Sequence, residues 1–152
     1  MDMFILLWRG LIILFGGAAA YFDIKSKRIP NGLILIMMIS WVIMLTPKMF
    51  LNTGTAIGIL KDSLIGFLIG GGMFLFVYIV SHKGLGGGDV KFMAASGLYT
   101  GFSGTISVMF YGTVIAAFFG IVLLILKKIR RRDSIPLAPF LCAGILITVF
   151  FA

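Results

Sequence analysis

The chain has 152 residues, of which 61% are hydrophobic and 12% are charged, and its net charge is +8. A soluble domain of this size cannot cover so much apolar surface, so the composition excludes a soluble globular enzyme. The sequence predicts an all-α membrane protein, a polytopic bundle of about six transmembrane helices. In such a protein a basic excess records orientation and contact with anionic lipids, so nucleic-acid binding is not expected.

The apolar runs follow one another along the whole chain, so residues 1–152 are expected to form a single integral-membrane domain without a soluble domain. The first run is interpreted as a retained helix and not as a signal peptide, because Asp2 replaces a basic leader region and Arg9 interrupts the run. Pro47 is expected to close the second run. The predicted spans are 3–22, 30–46, 63–81, 90–102, 105–126 and 136–152.

The connections between these spans carry further expectations. Residues 52–58 are rich in Gly and Thr and could lie at the membrane surface, with Asp62 capping or preceding the third span. The fourth span rises only about 20 Å, less than the hydrocarbon core, so it must be thinly covered or sunk among its neighbours. Gly70, Gly71 and Gly72 are expected to allow close helix packing.

Basic residues near the span ends predict the orientation. Ten lie in the connections after spans one, three and five, and three lie on the other side. By the positive-inside rule the first group is cytoplasmic and both termini are outside. Asp23 ends the first span and Asp89 begins the fourth, so both are expected at the cytoplasmic surface.

Few groups in this sequence could carry chemistry. All five acidic residues are Asp, and the single His82 and single Cys142 supply neither a Cys/His zinc set nor a Ser-His-Asp triad. The glycine-rich segment is no phosphate loop, because its next residue is acidic and G-x-x-x-x-G-K-[ST] is absent. No metal and no cofactor are therefore expected.

Asp23 and Asp89 are the acids that share one predicted membrane surface. Each alone could be a solvated interfacial acid, neutralised by Lys25 or Lys91. However, ionisable groups at membrane depth are costly and tend to be retained for a task. If the two carboxylates converge they form an aspartic dyad, in which one keeps its proton and the other activates a water that attacks a peptide carbonyl.

Gly84, Gly86, Gly87 and Gly88 precede Asp89. They could form a flexible turn, but a turn needs only one or two glycines. Four in five positions let an extended peptide lie against the backbone without interference from Cβ atoms. The segment is therefore interpreted as a substrate platform that delivers Asp89 to the start of a helix, where the dipole favours the ionised carboxylate.

Three blocks of this sequence resemble the type IV prepilin peptidases, membrane aspartic proteases of the GxGD class. Residues 84–91, GLGGGDVK, resemble the signature G-x-G-x-G-D-[VF]-K. Asp23, Ile24 and Lys25, followed by Ile29, Pro30 and Asn31, resemble the first catalytic block. Residues 138–144, APFLCAG, resemble G-P-F-L-x-x-G around Pro139, with Ala138 in place of the usual Gly.

The resemblance implies a function. It implies that Asp23 and Asp89 are the catalytic aspartates of an endopeptidase that removes the basic leader from prepilins or pseudopilins at the cytoplasmic face of the bacterial inner membrane. Larger members also methylate the new N-terminus and often carry paired C-x-x-C units. This chain, with one Cys and a start just before the first block, resembles the short, peptidase-only members of tight-adherence (Flp) pilus systems, so methyltransferase activity is not expected.

Two alternatives stay open from the sequence. A different GxGD protease would use the same dyad on preflagellin-like or other membrane substrates. A small proton or cation transporter would use the two aspartates as an ion path, although such paths place a carboxylate near the middle of the membrane.

Overall fold

The computed structural model describes residues 3–81, 85–127 and 135–151, and within these ranges every regular element is a helix. The elements are α1 (Met3–Ser26), α2 (Asn31–Leu51), α3 (Thr53–Val80), α4 (Gly87–Ile125) and α5 (Ala138–Phe151). In this part of the chain, α1 to α4 are long and apolar enough to cross a membrane, and α5 is a shorter apolar helix of 14 residues. The predicted all-α membrane protein is confirmed.

The 39-residue helix α4 is broken at Gly101, whose φ of 65° and ψ of −168° suit glycine and few other residues. Met93 and Thr105 both lie against Gly70, although twelve residues of straight helix would separate them by about 18 Å. The chain therefore reverses at Gly101. The two halves of α4, 87–100 and 102–125, correspond to the fourth and fifth predicted spans, so the described chain has six helical segments.

The reversal is held by Asp62, a residue of α3. Its Oδ1 accepts a hydrogen bond of 3.0 Å from the backbone N–H of Phe102, in the first turn after the break. The prediction that Asp62 caps or precedes the third span is wrong, because α3 already begins at Thr53 and Asp62 caps a different helix. Residues 53–58 of the predicted approach form the first turns of α3, and their place at the membrane surface stays a prediction.

Two other boundaries differ from the sequence-based expectation. Pro47 lies inside α2 and does not close it, since the helix continues to Leu51 before Asn52 caps α3. Helix α1 ends later than expected, at Ser26, where Lys27 adopts a φ of 50° and its N–H bonds to the carbonyl of Asp23. Pro30 then precedes α2 as its N-terminal cap.

The first half of α4 lies at the centre of the bundle, with residues 92–99 all buried. Its backbone packs directly on α3, because Gly66 contacts Gly97 and a Cβ on Gly70 would lie 2.7 Å from the carbonyl oxygen of Met93. The expected glycine packing face is confirmed at Gly70 and Gly71, whereas a Cβ on Gly72 would meet open space. The short span is tolerated because neighbouring helices surround it.

The bundle has two ends, and each is defined by the helix termini that lie there. The end of α1 and the starts of α4 and α5 meet where the backbone N–H of Ala138 bonds to Asp23. We call this the site end. The opposite end contains the start of α1, the end of α2 and the reversal at Gly101.

The contact between α3 and α4 predicts a sharp difference between two glycines of one helix. Gly66→Ala would place a Cβ closer to the carbonyl oxygen of Gly97 than van der Waals contact allows. It is expected to destabilise the protein by about 1–3 kcal/mol. Thermal unfolding in detergent measures the effect. Gly72→Ala is the matched control and should unfold at or above the wild-type temperature. Equal stability of the two variants would contradict this packing.

Candidate active site

Asp23 and Asp89 lie at the site end, in the last turn of α1 and the first turn of α4, respectively. Their side chains are 5% and 7% exposed, which is unusual for carboxylates. Both residues line the same two cavities, and the two carboxylates are close enough to interact electrostatically. The structure therefore brings together two acids that are sixty-six residues apart in the sequence.

The two carboxylates differ in their hydrogen bonds. Asp23 Oδ2 accepts a hydrogen bond of 2.9 Å from the backbone N–H of Ala138, at the start of α5. For Asp89 the hydrogen bond to Gly86 is a backbone one, in which the N–H of Asp89 donates to the carbonyl of Gly86 at 3.1 Å. Asp89 Oδ1 is buried without a hydrogen-bond partner among the described residues. An oxygen in this position can carry a proton and donate it to a bound group.

The larger cavity has a volume of about 770 Å³. It lies between the start of α4, the α1–α2 connection and the end of α3. Besides the two aspartates, its lining residues include Lys27, Arg28, Ile29, Asn31, Leu75, Tyr78, Gly86, Gly87, Gly88 and Lys91. It is large enough for a segment of several residues of extended peptide, with an apolar wall on α3 and polar groups on the other side.

A smaller cavity of about 230 Å³ continues on the other side of the two aspartates. It is lined by Leu85, Gly86 and the segment before α5, residues 135–137. The dyad thus lies between two spaces, and a water or a polar group can reach it without crossing the packed core.

Three glycines of the predicted platform lie at the start of α4. Gly86 precedes α4 with an extended conformation (φ −73°, ψ 135°), and Gly87 and Gly88 form its first turn. A Cβ on Gly86 would lie 2.8 Å from Asp89 Oδ2, whereas one on Gly87 would meet open space and one on Gly88 would crowd Ile29. Gly84 lies outside the described residues.

The supporting residues of the predicted motifs have different positions. Lys91 Nζ donates a hydrogen bond of 3.0 Å to Asn31 Oδ1, and both residues line the larger cavity. Lys25 points elsewhere and lies over the ring of Tyr21, because two residues after Asp23 is the other face of the helix. Neither Pro30 nor Pro139 is among the lining residues of the dyad cavities, and both instead stand at helix starts.

Sequence reasoning missed several groups at this site. Lys27 and Arg28 entered the prediction as basic residues of the connection after the first span, yet both line the larger cavity. Their place directly after the helix that carries Asp23 is the signal that could have indicated it. The backbone N–H of Ala138 was not foreseeable, because no side-chain pattern marks a backbone donor 115 residues away from its acceptor.

The sequence profile of the type IV leader peptidase family matches residues 10–121. This range includes both aspartates and most of the helices that position them. The chain belongs to the type IV leader peptidase family. In the described part of this family member, no group of three or more His, Cys, Asp or Glu side chains is arranged to hold a metal ion.

Several bacterial proteins named prepilin leader peptidase/N-methyltransferase are similar to the chain. The protein of Bacillus subtilis is 26% identical over 132 residues, which cover 85% of this chain and 49% of the relative. The protein of Stutzerimonas stutzeri is 26% identical over 144 residues, which cover 91% of this chain and 45% of the relative. The protein of Burkholderia pseudomallei is 33% identical over 79 residues, which cover 52% of this chain and 26% of the relative.

The chain spans about half the length of these relatives or less, and no solved structure matches it significantly.

The shared cavities predict that thiols placed at the two aspartates can be joined. In a Cys142→Ala background, which removes the only native thiol, the double variant Asp23→Cys/Asp89→Cys is expected to be linked by a short bifunctional thiol reagent. Mass spectrometry of the membrane-purified protein detects the link. The pair Asp23→Cys/Asp62→Cys joins opposite ends and should stay unlinked. Failure of the first pair, or linkage of both, would contradict the described site.

Proposed function

We propose that this chain is an aspartic endopeptidase that removes the basic leader of type IV prepilins or pseudopilins. The observation that carries the proposal is the convergence of buried Asp23 and Asp89 on the same cavities at one end of the bundle. Membership of the leader peptidase family supports it, as do the relatives' names. The active site is proposed to face the cytoplasm, and the charge distribution of the sequence supports this orientation.

The hydrogen bonds of the two carboxylates support different roles. Asp23, which accepts a backbone N–H at the start of α5, is the ionised partner and removes a proton from a water bound between the two acids. The resulting hydroxide attacks the peptide carbonyl carbon. Asp89, expected from its place at a helix start to be ionised, instead carries a proton on its unpartnered Oδ1. It donates this proton to the carbonyl oxygen as the carbonyl carbon becomes tetrahedral.

The remaining steps complete the hydrolysis. The tetrahedral intermediate collapses when the C–N bond breaks, and the leaving nitrogen takes the proton that Asp23 accepted from water. The oxygen proton returns to Asp89 as the carbonyl reforms. Water is thus divided between the two products, and the dyad regains its starting state.

The substrate is proposed to lie extended along Gly86, Gly87 and Gly88, with its apolar helix in the bilayer. The larger cavity also carries the cations Lys27, Arg28 and Lys91. A basic leader is repelled by them, so only the segment around the scissile bond enters the cavity. The leader itself stays at the surface, where anionic lipids attract its basic residues.

The proposal is confined to peptidase activity. The relatives' names include an N-methyltransferase, and the expectation that this chain lacks that second activity stays a prediction.

Loss of either carboxylate is expected to abolish cleavage. Asp23→Asn and Asp89→Asn keep the shape of the side chains but remove the base or the acid, so cleavage of a co-expressed prepilin should fall by about 10²–10⁴-fold. Leader removal is followed on gels and by mass spectrometry. Cys142→Ser is the control, since a thiol has no part in this mechanism, and it should cleave normally. Normal cleavage by either Asp variant would refute the dyad.

Two neighbouring glycines are expected to act on different kinetic constants. Gly86→Ala pushes the Asp89 carboxylate aside and should lower kcat by about 10²-fold, as expected for a small misplacement of a reacting group. Gly87→Ala leaves Asp89 in place but adds a methyl group to the cavity wall, so KM should rise while kcat is retained. Steady-state cleavage of a purified prepilin measures both constants.

The control for these two variants is Gly72→Ala, whose methyl group meets open space and which does not line the cavity. It should leave kcat and KM unchanged. If Gly86→Ala changed KM alone, Gly86 would contact the substrate and would not position Asp89.

A further inference from the structure

A further cavity, of about 460 Å³, lies at the opposite end of the bundle. All five helices contribute to its wall, from the start of α1 to the end of α5. It shares no lining residue with the two cavities around the dyad. Neither the family relationship nor the proposed cleavage explains why the fold has this further space.

Two cations line this cavity. Arg9 and Lys48 are half-buried within helices that cross the membrane. In the described part of the chain neither is within ion-pair distance of a carboxylate, and the ammonium group of Lys48 lies 3.8 Å from the ring centroid of Phe4. The one acid of the wall, Asp62, already holds the N–H of Phe102. Two cations and one carboxylate leave the wall with a net positive charge, which a bound anion would balance.

The rest of the wall combines apolar side chains with four hydroxyl-bearing ones, Ser63, Tyr99, Thr100 and Thr148. Side chains of α1, α3 and α5 form the apolar part: Phe4, Ile5, Trp8, Ile12, Ile59 and Val149. Thr148 also lines the cavity, is 7% exposed, and its Oγ1 has no hydrogen-bond partner among the described residues. A buried hydroxyl without a partner is uncommon, and a bound acceptor oxygen would satisfy it.

We propose that this cavity binds an anionic phospholipid. Arg9 and Lys48 hold the phosphate, and the part of an acyl chain nearest the glycerol lies against the apolar wall. Thr148 donates its hydroxyl to a headgroup or ester oxygen. A free phosphate ion offers the same charge, but it would leave the apolar wall uncovered. This site lies at the end of the bundle opposite to the basic surface for which anionic lipids were predicted from the sequence.

Trp8 lines the cavity and provides a direct probe, because the chain has only one other tryptophan, Trp41. In a Trp41→Phe background the fluorescence reports on Trp8 alone. The protein is reconstituted into phosphatidylcholine vesicles that contain increasing fractions of brominated phosphatidylglycerol or brominated phosphatidylcholine. Bromine quenches tryptophan on contact, so we expect half-maximal quenching at a clearly lower fraction of the anionic lipid.

Three variants test the assigned contacts. Arg9→Gln and Lys48→Gln should each lower the preference for the anionic lipid by about fivefold, the value for one basic residue near a membrane surface. Thr148→Val should lower it by less. Lys61→Gln is the matched control, since Lys61 is an exposed cation one residue before Asp62 that does not line the cavity. It should keep the wild-type preference.

Any of three outcomes would overturn the proposal. Equal quenching by the two lipids in the Trp41→Phe protein, which needs no change in the site, would exclude a specific anionic site. An equal loss in Lys61→Gln would mean general surface attraction. Relief of quenching by inorganic phosphate, but not by sodium chloride at the same ionic strength, would assign the site to a free anion. The readout is independent of peptidase activity, so failure of the proposed function would leave it intact.

Discussion

The direct backbone contact between α3 and the first half of α4 is the constraint on which the rest of the structure depends. Because Gly66, Gly70 and Gly97 lack side chains, the two helices approach until backbone atoms touch. Only this approach leaves room for the other helices to enclose a segment too short to span the bilayer alone. The enclosed segment begins at Asp89, so the same contact that buries it also sets the position of one catalytic candidate.

Each end of that central segment is held by an aspartate with a different task. At one end Asp62 of α3 caps the helix that starts after the reversal at Gly101, and thereby fixes the depth of the segment. At the other end Asp89 lies beside Asp23, which the start of α5 holds through Ala138. A shift of the segment along its axis would break the cap and, at the same time, move Asp89 away from Asp23. Rigid packing therefore replaces the loops that position carboxylates in many soluble enzymes.

The sequence predicted the helical class, the approximate number of segments and the position of Asp23 and Asp89 at the same end. These follow from hydropathy and from the number of membrane crossings between the two residues, and both depend only on local composition. The prediction failed where tertiary contacts determine the local structure. Pro47 continues a helix that local rules would end, and Asp62 caps a helix 40 residues away. The positions of the lysines after Asp23 were also not predicted: Lys25 lies within α1 over the ring of Tyr21, whereas Lys27 follows the end of the helix and lines the larger cavity.

The charges at the two ends follow one physical rule with different results. At the site end the cations line the same cavity as two carboxylates, so the local charge is mixed. At the opposite end two cations, Arg9 and Lys48, share a cavity wall with one carboxylate, so that wall keeps a net positive charge. The site end has carboxylates enough to offset most of its cations, whereas the opposite end has an excess cation, and it is there that we propose a lipid anion.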